Sequence, residues 1–210
     1  MRFTRTLQFV ACTALFWACS SDSSTGLKPG DGRMVVRLTD APFSTDSVKS
    51  VDVFVVRVDG KVEDTQEADA QASVAETEAE SEGWVVVAEP NESINLLALA
   101  GGNATTIGQA ELAAGTYHSL RLILDLSQSS VTLKNDVVLG ASTTPSILFP
   151  SAGHSGIKVI LDQPITIEEG STTTVLIDFD VGQSFVLRGN TIMQNGLLFK
   201  PVIHATITGS

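Results

Sequence analysis

Three aspartates are the side chains whose types and spacing best fit binding chemistry. Asp178 and Asp180 are two residues apart in a segment that alternates apolar and polar residues, and side chains repeat every two residues on one face of a strand. Asp40 ends another such segment. Carboxylate oxygens are ligands that calcium prefers in proteins. The three residues therefore form a candidate calcium site, although an ordinary polar strand face fits the same pattern.

Paired carboxylates also serve glycoside hydrolysis when they flank a cleft, so a carbohydrate-binding role and a secreted hydrolase are further alternatives. A sugar cleft usually has aromatic platforms. Outside the first 18 residues the sequence has one tryptophan, Trp84, and one tyrosine, Tyr117. The hydrolase is therefore the least favoured of these functions.

No other residues have the spacing of a catalytic or metal centre. Gly153-His154-Ser155-Gly156 lacks the glycine that a nucleophile elbow places two residues after its serine. The three histidines, His118, His154 and His204, show neither the HxH nor the HExxH spacing of a zinc site. We expect no catalytic residue and no cofactor, and we predict that the protein is not an enzyme.

The first residues predict export. Arg2 and Arg5 precede an apolar run from Leu7 to Ala18, which is the pattern of a secretory signal over residues 1–18. The run is too short for a membrane-spanning helix, which needs about 20 apolar residues.

The end of the signal predicts a lipid anchor. The sequence Phe16-Trp17-Ala18-Cys19 resembles the lipobox of bacterial lipoproteins, in which the signal is removed before a cysteine that carries the lipid. Here the lipidated residue is Cys19, which places the protein in the cell envelope, at the outer membrane or cell surface. Cleavage after Ser20 is the alternative, and it yields a soluble secreted or periplasmic protein.

Residues 19–32 are rich in Ser, Gly and Asp, a composition typical of a flexible tether. The second cysteine of the chain, Cys12, lies in the signal, so we expect no disulfide in the folded domain. The formal net charge is −11, which argues against nucleic acid as a partner because such binding depends on clustered Lys and Arg. The expected partners are the membrane, through the lipid, and envelope proteins or glycans.

The remainder, residues 33–208, predicts one all-β domain. Met34, Val36 and Leu38 alternate with Arg33, Val35 and Arg37, as in a strand with one buried face. Similar or β-branched segments recur along the chain: 48–58, 84–88, 106–111, 118–125, 130–133, 147–149, 157–161, 165–167, 174–180, 185–188 and 197–207. So many short strands predict a single antiparallel β-sandwich.

Three segments depart from this pattern. Ser93–Ala100 reads as one short helix that Gly101-Gly102 ends. Pro201 lies inside the last predicted strand, which places that strand at an edge or at a bulge. Glu63–Glu82 contains eight acidic and no basic residues, so it predicts a long, disordered acidic loop.

Several segments together resemble a known family. They are Met34–Pro42, Val48–Val58, Trp84, Ile94–Leu97, Leu112–Arg121, Val175–Asp180 with Ser184, and Phe199–Val202. In this order they resemble a bacterial and archaeal domain-of-unknown-function family that opens with Leu-Thr-Asp-Ala-Pro and whose members are commonly lipoproteins. The resemblance covers about Gly32 to Thr208.

The resemblance implies a β-sandwich at the cell envelope and brings neither an activity nor functional residues. The expected function is a non-catalytic envelope lipoprotein that serves as a binding, adhesion or structural module. A carbohydrate- or calcium-binding module is the alternative.

Overall fold

The computed structural model describes residues 27–41, 47–62, 83–149 and 156–209. The predicted signal, Cys19 and the acidic segment 63–82 lie outside these ranges. No helix in the described part of the chain is long and apolar enough to cross a membrane.

The described chain is mostly β-structure, which confirms the predicted class. Its strands are β1 (Asp31–Thr39), β2 (Val48–Val62), β3 (Trp84–Ala88), β4 (Glu92–Asn95), β5 (Thr105–Ala113), β6 (Gly115–Leu133), β7 (Val138–Leu139), β8 (Ile147–Leu148), β9 (Ile157–Leu161), β10 (Ile165–Ile167), β11 (Thr172–Phe179), β12 (Phe185–Leu187), β13 (Leu197–Phe199) and β14 (Ile203–Gly209). Its helices are the 3-10 turn η1 (Leu96–Leu99), α1 (Val181–Ser184) and α2 (Ile192–Asn195).

The strands form one large sheet rather than the expected two-layer sandwich. The sheet has 11 strands in the order β3-β2-β6-β9-β14-β11-β1-β5, and β4, β7 and β10 pair with β2 or β6 beside this path. Strand β9 joins the two halves, because it lies antiparallel to β6 and parallel to β14. The sheet thereby curls into a nearly closed cylinder around a single core.

The first and last strands in this order, β3 and β5, approach each other at one glycine. A Cβ added to Gly108 of β5 would lie 2.5 Å from the Cβ of Ala88 at the end of β3. Real Cβ atoms do not come that close, so only glycine permits this approach. The near-closure of the sheet therefore depends on a residue without a side chain.

Alternation along β1 shows how the sequence builds the core. Met34, Val36 and Leu38 are fully buried, as predicted. The residues between them are half-buried on the outer face. Strand β1 lies parallel to β11 and antiparallel to β5, so its inward side chains occupy the middle of the core. This packing is the principal source of stability in such a domain.

Strand β6 is one element of 19 residues, although the sequence predicts two separate strands there. Its pairing with β2 contains several register shifts. One shift is at Asp125–Ser129, where the Ser129 hydroxyl receives a hydrogen bond from Phe54 N at 3.0 Å. Bulges of this kind bend a strand without ending it. At the start of β6 the Tyr117 hydroxyl donates to the Ala113 carbonyl at 3.1 Å, which holds the turn between β5 and β6.

The predicted last strand is two strands in different sheets. Strand β13 belongs to a small three-stranded sheet with β8 and β12, whereas β14 belongs to the large sheet. Pro201 lies between them and has no N–H to donate. The neighbouring N–H groups both bond to Ser184, Lys200 N to its carbonyl at 2.8 Å and Val202 N to its hydroxyl at 2.9 Å. The chain therefore changes sheet at the proline.

We call the small sheet of β8, β12 and β13 the cap. Its inner face is aromatic: the Phe199 ring lies 5.3 Å from that of Phe149, 6.2 Å from that of Phe179 and 5.0 Å from that of Phe185. Phe179 belongs to β11 of the large sheet. The rings therefore attach the cap to the core of the cylinder.

The domain has two distinct ends. At one end Gly30 accepts a hydrogen bond from Ala114 N, and Asp31 accepts one from Gly170 N, each at 2.9 Å. The chain enters β1 there. Strand β1 finishes at the other end, where Asp40 contacts α1 and the chain continues from α1 directly into β12 of the cap.

Candidate functional site

The structure brings the three predicted aspartates together where β1 ends. Thr39 of β1 lies opposite Asp178 of β11, and Asp178 lies opposite His204 of β14. Asp40 follows Thr39, and Asp180 follows the end of β11. The charges of Asp178 and Asp180 act on the Asp40 carboxyl, so the group is close in space as the strand pattern predicted.

Asp40 is the most enclosed of the three, with 2% of its surface exposed. Its Oδ1 accepts a hydrogen bond from Val181 N at 3.1 Å, and its Oδ2 is buried without a partner. The pKa of this carboxyl is raised from 3.8 to about 6, mainly by burial; the charges of Asp178 and Asp180 add to the rise, and the Val181 bond opposes it. A buried charge without full pairing is costly.

Asp178 is half-buried, yet its Oδ1 is also buried without a hydrogen-bond partner. Burial raises the pKa of the Asp178 carboxyl, and the charge of Asp180 acts in the same direction. His204 and a hydrogen bond from the Ala41 backbone lower this pKa and offset part of the rise. Two neighbouring carboxylates therefore each present one buried, unpaired oxygen.

The third aspartate, Asp180, lies at the start of α1. Its side chain caps α1 by accepting from Gln183 N at 2.9 Å and from Gln183 Nε2 at 2.6 Å. Aspartate at an N-cap satisfies backbone donors that the first turn leaves free. In the described ranges no three His, Cys, Asp or Glu side chains converge as a metal cluster. The sequence therefore located the acidic group but not this division of roles.

Thr39 fixes the end of β1 against the η1 segment. Its hydroxyl lies 2.7 Å from the Asn103 carbonyl and 3.4 Å from the Leu99 carbonyl. Asn95 caps η1 by accepting from Leu97 N, inside the segment predicted to be helical. The Thr-Asp pair thus joins β1 to two other segments, Thr39 to η1 and Asp40 to α1.

A charged cluster that the sequence pattern did not reveal lies on the outer side of β2 and β6. Asp59 is buried and accepts from Arg57 Nε at 2.9 Å and from Arg121 Nε at 2.8 Å. The Arg121 guanidinium also lies 4.4 Å from the ring centroid of Trp84. Asp59 and Arg121 are directly opposite in the β2–β6 register, so only the strand pairing could have identified the cluster.

The outer face of the cap is a second feature that the sequence did not reveal. Val186 lies opposite Leu198, and Leu198 lies opposite Leu148. Val186 is 42% exposed and Leu148 is 47% exposed, whereas Leu198 is half-buried. These three side chains form an apolar row across the cap, and we call this row the cap face.

The charge around the cap face contrasts with that of the whole chain. From Val181 to Gly209 the sequence has no Asp or Glu, although the chain contains 24 acidic residues. Arg188 directly follows β12, Lys200 directly follows β13, and both are exposed. The surface around the cap face therefore combines apolar side chains with positive charge.

Comparison with known proteins supports the family resemblance. No curated protein matches the chain. A family model described as domain of unknown function (DUF4382) matches residues 31–201, from the first residue of β1 to the proline at which the chain changes sheet. These residues include all three aspartates and the cap, and the chain belongs to this DUF4382 family.

Proposed function

We propose that the protein is a non-catalytic lipoprotein of the cell envelope that binds another envelope protein through the cap face. The observation that carries the proposal is the exposed apolar row of Val186, Leu198 and Leu148. Exposed apolar side chains that adjoin one another are typical of interaction sites.

The charge of the surrounding surface favours a partner with acidic groups. Arg188 and Lys200 are exposed beside the row, whereas the chain as a whole has a net charge of −11. A second copy would bring two basic surfaces together, which complementary charge disfavours. The expected partner is therefore a different protein with an apolar contact surface and acidic residues at its rim.

The direction of the tether supports the same role. The described chain begins beside Gly30 and Asp31, at the end of the domain opposite the cap. A lipid on Cys19 would hold that end toward the membrane and leave the cap directed away from it.

The anchor is tested by replacing the proposed lipid site. We expect the wild-type chain to sediment with membranes and Cys19→Ser to remain in the soluble fraction, because a diacylated N-terminus holds a protein stably on a bilayer. Mass spectrometry of the mature N-terminus provides the direct measurement. An unmodified chain that begins after Ser20 would contradict the lipoprotein proposal.

The cap face is tested by photo-crosslinking in the producing cells. A photoreactive amino acid is introduced at Val186 or Leu148, and the matched control position is Ile160, which is 52% exposed on β9 of the large sheet. We expect one discrete protein adduct from the cap positions, none from the control, and a weaker adduct in Arg188→Glu or Lys200→Glu backgrounds. Equal crosslinking at all three positions, or none at the cap, would refute the proposed surface.

A further inference from the structure

We propose that Asp40 and Asp178 together bind a hard divalent cation, Ca²⁺ or Mg²⁺, at the junction of β1, β11 and α1. This site is separate from the cap face and independent of the partner proposed above.

The two unpaired oxygens carry the proposal. Oδ2 of Asp40 and Oδ1 of Asp178 are the two buried side-chain N or O atoms without a hydrogen-bond partner in the described part of the chain. The two atoms belong to neighbouring carboxyl groups, and only 2% of the surface of Asp40 is exposed. Buried polar groups are otherwise almost always satisfied, and one cation bound between these two neighbouring carboxyl groups would satisfy both atoms.

The protein groups around the pair do not provide that ligand. The Val181 N–H is bonded to the other oxygen of Asp40. Asp180 is bonded to Gln183, and its charge repels both carboxylates. In the described part of the chain, His204 is the one basic side chain that acts on either carboxyl, and it faces Asp178. Among the described residues, no lysine or arginine acts on either group.

The donor atoms select the kind of cation. Two carboxylates supply two negative charges and hard oxygen ligands, which suit Ca²⁺ and Mg²⁺. Mg²⁺ is commonly held by one or two carboxylates with water completing its shell. Zinc prefers several His or Cys ligands, and among the described residues His204 alone acts on this pair. The site thus differs from the predicted calcium site, because Asp180 acts as a helix cap and not as a ligand.

A cation in this position would link two parts of the fold. Asp40 is at the end of β1, and Asp178 is on β11 just before the capped turn α1. Strand β12 of the cap begins directly after α1. Binding would therefore hold the base of the cap against the large sheet.

The test compares cation binding in the purified chain and three variants after treatment with EDTA. Thermal unfolding and titration calorimetry are measured with CaCl₂ and, separately, with MgCl₂. For a domain of this size, a cation at 100 times its Kd should raise the Tm of the wild type by about 5–10 °C. Asp40→Asn and Asp178→Asn should lose this increase and the calorimetric heat, and each keeps the shape of the side chain that it replaces.

Asp136→Asn is the control for the loss of one negative charge, because Asp136 is exposed and bonds to Lys49. This variant should bind as the wild type does. A larger effect of Ca²⁺ or of Mg²⁺ identifies the cation. The proposal is overturned if neither cation changes the Tm or gives heat, or if Asp40→Asn and Asp178→Asn bind as strongly as the control.

Discussion

Replacing Asp40 by Asn should stabilise the cation-free protein at neutral pH. The Asn side chain has the same shape, so its Oδ1 can keep the hydrogen bond from Val181 N. Its Nδ2 can donate at the position of the unpaired Oδ2, next to Asp178. The variant removes a buried charge and gives a buried polar atom a neighbour to bond with, and both changes favour the folded state.

The size and sign of the effect follow from the pKa of Asp40, which burial raises from 3.8 to about 6. Because the folded state holds the proton more tightly, its contribution to stability is fully present below about pH 4 and is lost as the pH rises through 6. Each pKa unit corresponds to about 1.4 kcal/mol. We therefore expect Asp40→Asn to exceed the wild type by about 1–3 kcal/mol at pH 7.5 and to match it near pH 3.5.

The assay is urea unfolding in EDTA at intervals between pH 3.5 and 7.5, with Asp136→Asn as the control for charge. The free energy of unfolding of the control should follow the wild-type curve, whereas that of Asp40→Asn should fall less between pH 4 and 6.5. If Asp40→Asn is less stable than the wild type by the same amount at every pH, burial of the Asp40 charge is not what destabilises the fold. The carboxylate would then stabilise the folded state through an interaction other than the contacts described above.

Three further substitutions test the fold. Thr39→Val should cost about 1–2 kcal/mol in urea unfolding, because it removes a hydrogen bond to the Asn103 carbonyl in a buried place, and Thr39→Ser should recover most of the loss. Gly108→Ala should cost about 1–3 kcal/mol, because its Cβ would lie 2.5 Å from that of Ala88. In an Ala88→Gly background the same substitution should cost less, although the φ of +158° at position 108 still disfavours a side chain; an unchanged cost would show that the close approach is not the cause. Phe199→Ala should cost about 3–5 kcal/mol, since this ring contacts three others, and a loss below 1 kcal/mol would contradict the anchoring of the cap.

The positions of most strands follow from the sequence, because each strand has a local pattern. The alternation at Met34–Leu38 is sufficient to identify β1 and its buried face. The predicted segments 84–88, 157–161 and 165–167 coincide with β3, β9 and β10. Inward and outward side chains alternate whatever the partner strand is, so each strand and its buried face can be identified from that segment's own residues.

The arrangement of the strands does not follow in the same way. Near-closure of the sheet depends on Gly108 meeting Ala88, two residues on strands that are not hydrogen-bonded to each other. The break at Pro201 depends on Ser184, which provides partners for the N–H groups on both sides of the proline. These contacts join segments that are far apart in the sequence, so the residue pattern within either segment does not predict them.

The candidate site shows the same limit. The sequence predicted that Asp178 and Asp180 share one face of a strand and that Asp40 contributes a third carboxylate. It could not show that Asp180 accepts hydrogen bonds from Gln183, whereas Asp178 has an oxygen without a hydrogen-bond partner. The sequence also did not reveal the cap face, because Leu148 and Val186 come to lie on either side of Leu198 only through the register of β13.

The pairing of β1 has a consequence for how the chain is made. Its parallel neighbour β11 lies about 140 positions later, with Arg33 opposite Thr172 and Thr39 opposite Asp178. Loop closure over such a separation is entropically costly and slow. During synthesis β1 has β5 on one side and an open edge on the other until residues 172–179 are available. The cylinder therefore forms only after β11 has been synthesised, and a chain cut short before β11 would expose an unpaired apolar strand to other molecules.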